Sequence, residues 1–245
     1  LRGAESDRDE AFVRDWCAGR DIPFVSGSGD VRGLAEREGL SLEEAARTLR
    51  YAFLRREAEK LGQHIRIYTA HHADDNAETI LFNLIRGTGV AGLAGMAYQQ
   101  NGIFRPLLDV TRAELAAYAA DHHIPHVEDA TNADPDAAAR NFLRLEVMPR
   151  LKQINPQAVA HINDAGRRLR VVDRSLEEEA ARRTACVEVQ EGRVTLSKRA
   201  LAEAPDAVKP RMLLRLFDLL GVGRRDITAA HLNAILYLTR NTLWG

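Results

Sequence analysis

Three carboxylates and two histidines crowd into nine positions of this chain, His71-His72-Ala73-Asp74-Asp75-Asn76-Ala77-Glu78-Thr79. They follow directly on the apolar run Ile65 to Ala70, which reads as a strand. Carboxylates and histidines at this density could help hold a metal ion, or the carboxylates could simply stabilise the start of a helix. His71, Asp75 and Glu78 stand at i, i+4 and i+7, so a helix starting here would carry all three on one face, docked through Ile80, Leu81, Leu84 and Ile85. The carboxyl end of a strand feeding a helix is also where open α/β sheets place ligands. Two plainer readings compete. Asp74, Asp75 and Glu78 suit the positive end of a helix dipole, at about 0.3 to 1 kcal/mol each. Alternatively, His71, His72 and Asp75 with Asp121-His122-His123 would make a metal phosphoesterase site, but no defined ligand spacing supports it and no metal ligand is assigned.

Two glycine-rich segments imitate nucleotide loops. Gly87, Gly89 and Gly92 spell GxGxxG, yet a helix precedes them where a dinucleotide fingerprint needs a strand, so a helix C-cap and tight loop is the bland account. Gly27-Ser28-Gly29-Asp30 lacks the Lys-Ser/Thr of a P-loop. Cations are clustered as well. Arg47 and Arg50 lie three apart on one predicted helix, and Arg140 and Arg144 lie four apart on another. Residues 140 to 174 hold eight lysines and arginines, among them Arg167, Arg168 and Arg170, against three carboxylates. That local excess could follow a nucleic-acid backbone, or it could be a solvated helix face paired with Glu177, Glu178 and Glu179.

The elements that must position these residues read as α/β units followed by helices. Ser41 with Glu44 and Thr111 with Glu114 form capping boxes, and Ser6 is expected to start a helix running to about Arg20. Strand candidates are Ile22 to Ser26, Ile65 to Ala70, Phe104 to Leu108 and His126 to Glu128. A long amphipathic helix is predicted from about Gln157 to Arg183, then a hairpin around Glu191 and Gly192, then helices near Lys209 to Leu220 and Thr228 to Arg240. The expected domains are 1–165 and 166–245. With 34 basic and 35 acidic residues among 245, the chain is no uniformly basic nucleic-acid coat, and no apolar stretch approaches a membrane span. Cys17 and Cys186 are far apart and make neither a disulfide framework nor a cysteine metal site, which fits a cytoplasmic protein.

Three blocks together carry a resemblance: LSLEEAARTLRYAFL from Leu40, TAHHADDNAETILFNLIRGTGVAGLAGM from Thr69, and RPLLDVTRAELAAYAADHHIPHVEDATNADPDAAARNFLRLEVMPRL from Arg105. Their order and spacing resemble the tRNA(Ile)-lysidine synthetase family of PP-loop ATPases through about residue 155. The resemblance implies a parallel-sheet PP-loop domain of the adenine nucleotide alpha-hydrolase-like kind, followed by a small, mostly helical, tRNA-contacting domain. It also implies the reaction: ATP adenylates the 2-oxygen of the wobble cytidine in an isoleucine tRNA, and the side-chain amine of L-lysine then displaces AMP. Mg²⁺ would assist. Exposing the neutral amine of lysine near pH 7 costs roughly 4 to 5 kcal/mol from a reference pKa of about 10.4, so the site must hold and deprotonate an ammonium.

By the same resemblance, Asp75 and Glu78 bind and orient lysine, with the choice of base left open, and His71 contacts nucleotide or adenylate. Arg47, Arg50, Asn132, Arg140, Asn141 and Arg144 bind substrate; Arg86, Gly87 and Gly89 close on the nucleotide; and Arg167, Arg168 and Arg170 meet tRNA. One departure stands out. The family's SGGxDS phosphate loop is absent from these 245 residues, so on this reading the PP-loop domain is incomplete at its N-terminus and the chain by itself is expected not to adenylate tRNA. A PP-loop tRNA thiolase and a non-catalytic tRNA-binding fragment are the alternatives, the first weakened by the lack of paired cysteines. A homodimer is among the oligomeric states the sequence leaves open.

Overall fold

The computed structural model describes residues 4–62, 65–127, 139–190, 192–224 and 227–241. The chain divides into two units, Leu1–Phe82 with Met96–Ala160 and Asn83–Gly95 with His161–Gly245.

In the first unit, helix α1 spans Ala4–Ala18, α2 Val31–Glu38 and α3 Leu42–Leu61. Both expected capping boxes form. Ser41 accepts from the Glu44 N–H while Glu44 reaches back to the Ser41 N–H, and Thr111 and Glu114 do the same at the start of α6, Arg112–Asp121. Ser6, in contrast, lies inside α1 and does not cap it. Asp30, from the glycine-rich decoy, caps α2 by accepting from the Gly33 N–H at 2.9 Å.

A small mixed sheet completes the frame, in the order β1-β3-β2. Strand β1, Ile67–Tyr68, pairs in parallel with β3, Ile103–Phe104, and β2, Gln99–Gln100, pairs antiparallel on the other side. The unit is thus α/β with a parallel pair at its centre, but the strands are shorter than the sequence predicts. Ile22 to Ser26 forms none: Pro23 offers no N–H, and Ile22 and Val25 remain exposed. Pro106 ends the third candidate early for the same reason. His126 and Val127 are not in a strand, and Glu128 lies outside the described residues. Between β1 and the return to the sheet runs helix α4, Ala73–Ile85, which buries Ala73, Ala77 and Ile80. The described segment from residue 139 opens with α7, Ala139–Phe142, passes through a π-helical turn, Leu143–Val147, and continues as α8, Met148–Ile154. Inserted π turns are frequent at functional sites.

The second unit contains most of α9, Ala158–Arg183, and a hairpin of β4, Glu188–Gln190, with β5, Arg193–Thr195, in the register Val189 to Val194. Its core joins Ala180, Leu201, Met212, Leu213 and Leu232, drawn from α9 and three further helices, α10 (Lys198–Ala202), α11 (Lys209–Leu219) and α12 (Ala229–Asn241), with Val208 just before α11. Helix α5, Val90–Leu93, belongs here too. Asn83 donates to the Gly92 carbonyl at 2.8 Å and Arg170 to the Ala94 carbonyl at 2.7 Å, which ties the glycine loop to α9. No described helix is long and apolar enough to cross a membrane.

Candidate active site

The start of α4 explains how its polar residues are held. His72 precedes the helix, and its ring Nδ1 accepts from the Asp75 N–H at 3.3 Å while the Asp75 carboxylate accepts from the His72 N–H at 3.1 Å. This reciprocal pair satisfies two orphan donors, as a capping box does. It also places His71 before the helix, so the helical spacing that put His71 on a face with Asp75 and Glu78 does not apply. His71 reaches the site from the end of β1, where its Nδ1 lies 2.9 Å from Thr69 Oγ1. Burial lowers its pKa; Asp75 opposes that, while Arg105, Arg47 and Arg140 add to it. A neutral imidazole is the result near pH 7.

One residue distant in sequence grips two carboxylates of α4. Arg144, in the π turn, donates through Nε to Glu78 Oε1 and through Nη2 to Glu78 Oε2, each at 2.9 Å, and the same Nη2 reaches Asp75 Oδ1 at 3.0 Å. The bond to Glu78 is the largest cause of a raised Arg144 pKa, with burial opposing. Arg140 is one turn away, its Nη2 3.5 Å from Thr79 Oγ1, and Thr79 itself donates to the Asp75 carbonyl at 2.8 Å. Asn141 shares α7 with Arg140, half-buried. Asn132 lies outside the described residues.

A cleft of about 390 Å³ opens beside these groups, lined by Arg50, Tyr51, Leu54, Thr69, Ala70, His71 and Asp75. Arg47 lies on the same helix as Arg50 with its guanidinium 5.0 Å from the Tyr51 ring centre. Sequence reasoning therefore named three of the seven lining residues, His71, Asp75 and Arg50, and also Glu78 and Arg144, which are bonded to each other beside Asp75. Arg86, Gly87 and Gly89 belong to the second unit. There Gly87, at φ +75°, ends α4 and Gly89 caps α5, as the bland account of that loop expects. Arg167 pairs with Asp164, Arg168 is exposed, and Arg170 donates to the Ala94 carbonyl as described.

Several contacts at the site gave no sequence signal. Burial would raise the Asp74 pKa, but the Arg112 N–H at 2.9 Å and the Lys152 ammonium at 2.9 Å hold it below the ordinary carboxylate range. Asn76 is buried and accepts from the Met96 N–H at 2.6 Å. Arg105 is 4% exposed, donates to the Ala97 carbonyl at 2.9 Å, and leaves its Nε without a partner among the described residues. None of these contacts repeats at a helical or strand period, so no pattern could announce them. Among the described residues no group of three or more His, Cys, Asp or Glu side chains is placed to hold a metal ion, and Asp75 and Glu78 are engaged by Arg144.

Residues 1–151, more than half of the chain, match the PP-loop domain family. A tRNA(Ile)-lysidine synthase of Parabacteroides distasonis is 46% identical over 158 residues, 64% of this chain and 36% of that protein. Over nearly the whole chain, the proteins of the same name from Geobacter sulfurreducens and Clostridium acetobutylicum are 37% and 32% identical, covering 98% and 99% of this chain and 52% of each relative. The chain thus spans roughly a third to a half of the length of these relatives. It belongs to the tRNA(Ile)-lysidine synthetase family of PP-loop proteins.

Proposed function

We propose that this chain is part of an ATP-dependent ligase that joins L-lysine to the wobble cytidine of an isoleucine tRNA. The observation that carries the reading is one cleft lined by both signs of charge. The Asp75 carboxylate is suited to an ammonium and Arg50 to an anion, with the charges of Arg47, Arg105 and Arg140 felt at His71. In the first step the cytidine 2-oxygen attacks the α-phosphorus of ATP and pyrophosphate leaves. In the second the lysine amine attacks C2 of the base, AMP departs with the oxygen, and the nitrogen gives up its protons. This chain's residues would hold the ammonium at Asp75, neutralise phosphate through guanidinium groups, and present His71 as a neutral hydrogen-bonding partner. Mg²⁺, when present, would neutralise phosphate charge. The second unit, with exposed arginines on α9, would contact tRNA backbone.

The test uses a chain that also carries the SGGxDS loop. AMP release is followed with isoleucine tRNA, L-lysine and Mg-ATP, each omitted in turn. Release that needs all of them, with lysine recovered on the tRNA, is expected. Release indifferent to lysine would replace the ligase reading with another adenylating activity.

A further inference from the structure

Resting on that ligase reading, we infer that the two carboxylates of α4 divide the work: Asp75 alone meets the substrate ammonium, and Glu78 acts only through Arg144, as a positioning residue. The two differ in access. Asp75 lines the cleft and its side chain keeps 21% of its exposure, whereas Glu78 is 4% exposed and is not among the lining residues. They differ also in what binds them. Both oxygens of Glu78 accept from Nε and Nη2 of Arg144 at 2.9 Å, and with the carboxylate buried and off the cleft lining their remaining lone pairs are out of a substrate's reach.

Asp75 is held more lightly, by Arg144 Nη2 on one oxygen and by the His72 N–H on the other. A carboxylate oxygen has two lone pairs, so each can accept an ammonium N–H without releasing its present partner. One nitrogen, Nη2, serves both acids. Glu78 fixes the guanidinium plane, and that plane aims Asp75.

Two measurements decide it. The enzyme carrying its SGGxDS loop is treated with a water-soluble carbodiimide and glycinamide, and modified carboxylates are mapped by peptide mass spectrometry. Asp75 should be modified and Glu78 spared, with L-lysine protecting Asp75; modification of Glu78 as fast as Asp75 overturns the division. This readout needs no turnover, so it decides between the carboxylates even where lysine-dependent AMP release, the test of the ligase reading, fails. In the active enzyme, Asp75→Asn should raise the lysine KM by about tenfold or more, while Glu78→Gln should lower kcat and leave that KM within about threefold. In an Arg144→Lys background, which keeps the charge but not the two-pronged grip, Glu78→Gln should cost less than about twofold further. Equal KM increases in the Asp75 and Glu78 variants, or a full effect of Glu78→Gln in that background, would put Glu78 on the substrate and sink the inference.

Discussion

Each unit contains a cluster in which arginine from one helix grips carboxylates of another, and the two clusters serve different ends. In the second unit Arg211 of α11 pairs with Asp173 and Glu177 of α9, and Arg215 reaches Glu177 at 3.1 Å and Thr184 Oγ1 at 3.1 Å. On the same helix Met212 and Leu213 enter the apolar core, so the ion pairs frame a hydrophobic contact. Their carboxylates stay about a quarter to a third exposed. In the first unit Arg144 grips Glu78 and Asp75, but the helix it meets buries Asp74, Asn76 and Glu78 beside only Ala73, Ala77 and Ile80. A polar helix face is expensive to bury, and here it borders a cleft. Ion pairing by itself therefore says little about role. What separates the clusters is whether apolar packing or an accessible cavity lies beside them.

Breaking each cluster's support should expose that difference. The largest loss is expected from Met212→Ala, which empties the largest fully buried side chain of the second unit and should cost about 2 to 5 kcal/mol in urea denaturation. Next, Arg144→Gln leaves Glu78 buried without its counter-charge and should cost about 2 to 4 kcal/mol, whereas Arg211→Gln leaves carboxylates that reach water and should cost about 1 kcal/mol. Equal losses at Arg144 and Arg211 would erase the contrast.

Asp74 sharpens it by pH. Its folded pKa lies below the unfolded value near 3.9, so near pH 3 to 4 the unfolded chain binds more protons and stability falls with the pH. The contribution is complete above the ordinary aspartate value and lost as pH drops through the depressed one. Asp74→Asn should flatten that acid limb and cost about 1 to 2 kcal/mol at pH 7; an unchanged acid limb would remove Asp74 from the network. Smaller in free energy is Asp75→Asn, which should cut lysine transfer by at least tenfold, about 1.4 kcal/mol, with unaltered circular dichroism. Full activity would return Asp75 to a capping role.

Local grammar in the sequence foretold much of this frame. The boxes at Ser41 and Thr111, the long helix to Arg183 and the hairpin around Gly192 all depend on neighbours within a few residues, and all form. Strand lengths failed where a proline removed a donor, at Pro23 and Pro106. At the site, residue types and spacing pointed to Asp75 and Glu78, but no spacing tied them to their shared partner, 66 residues from Glu78. His71 was assigned to a helix face because nothing in a string of polar residues announces that His72 is the cap. Arg170 looked like one more surface cation until the Ala94 carbonyl came within its reach.

That last contact reshapes the expectation for tRNA, where the smallest effect is due. If α9 follows a phosphate backbone, the arginines available for it are those with their heads in water. Arg168 and Arg174 are exposed, and Arg167 is exposed but shared with Asp164. Arg170 is half-buried and spends a hydrogen bond on the glycine loop. Each lost phosphate contact flattens the log-log dependence of affinity on salt by somewhat less than one, so Arg168→Gln with Arg174→Gln should reduce the slope by about 1 to 2. Arg170→Gln should leave the slope unchanged and instead loosen the loop, seen as faster amide exchange around Ala94. Titrating labelled isoleucine tRNA between low and physiological salt separates the two. A slope that falls with Arg170→Gln but not with the exposed pair would make the buried arginine the phosphate ligand and the outer ones a solvated face.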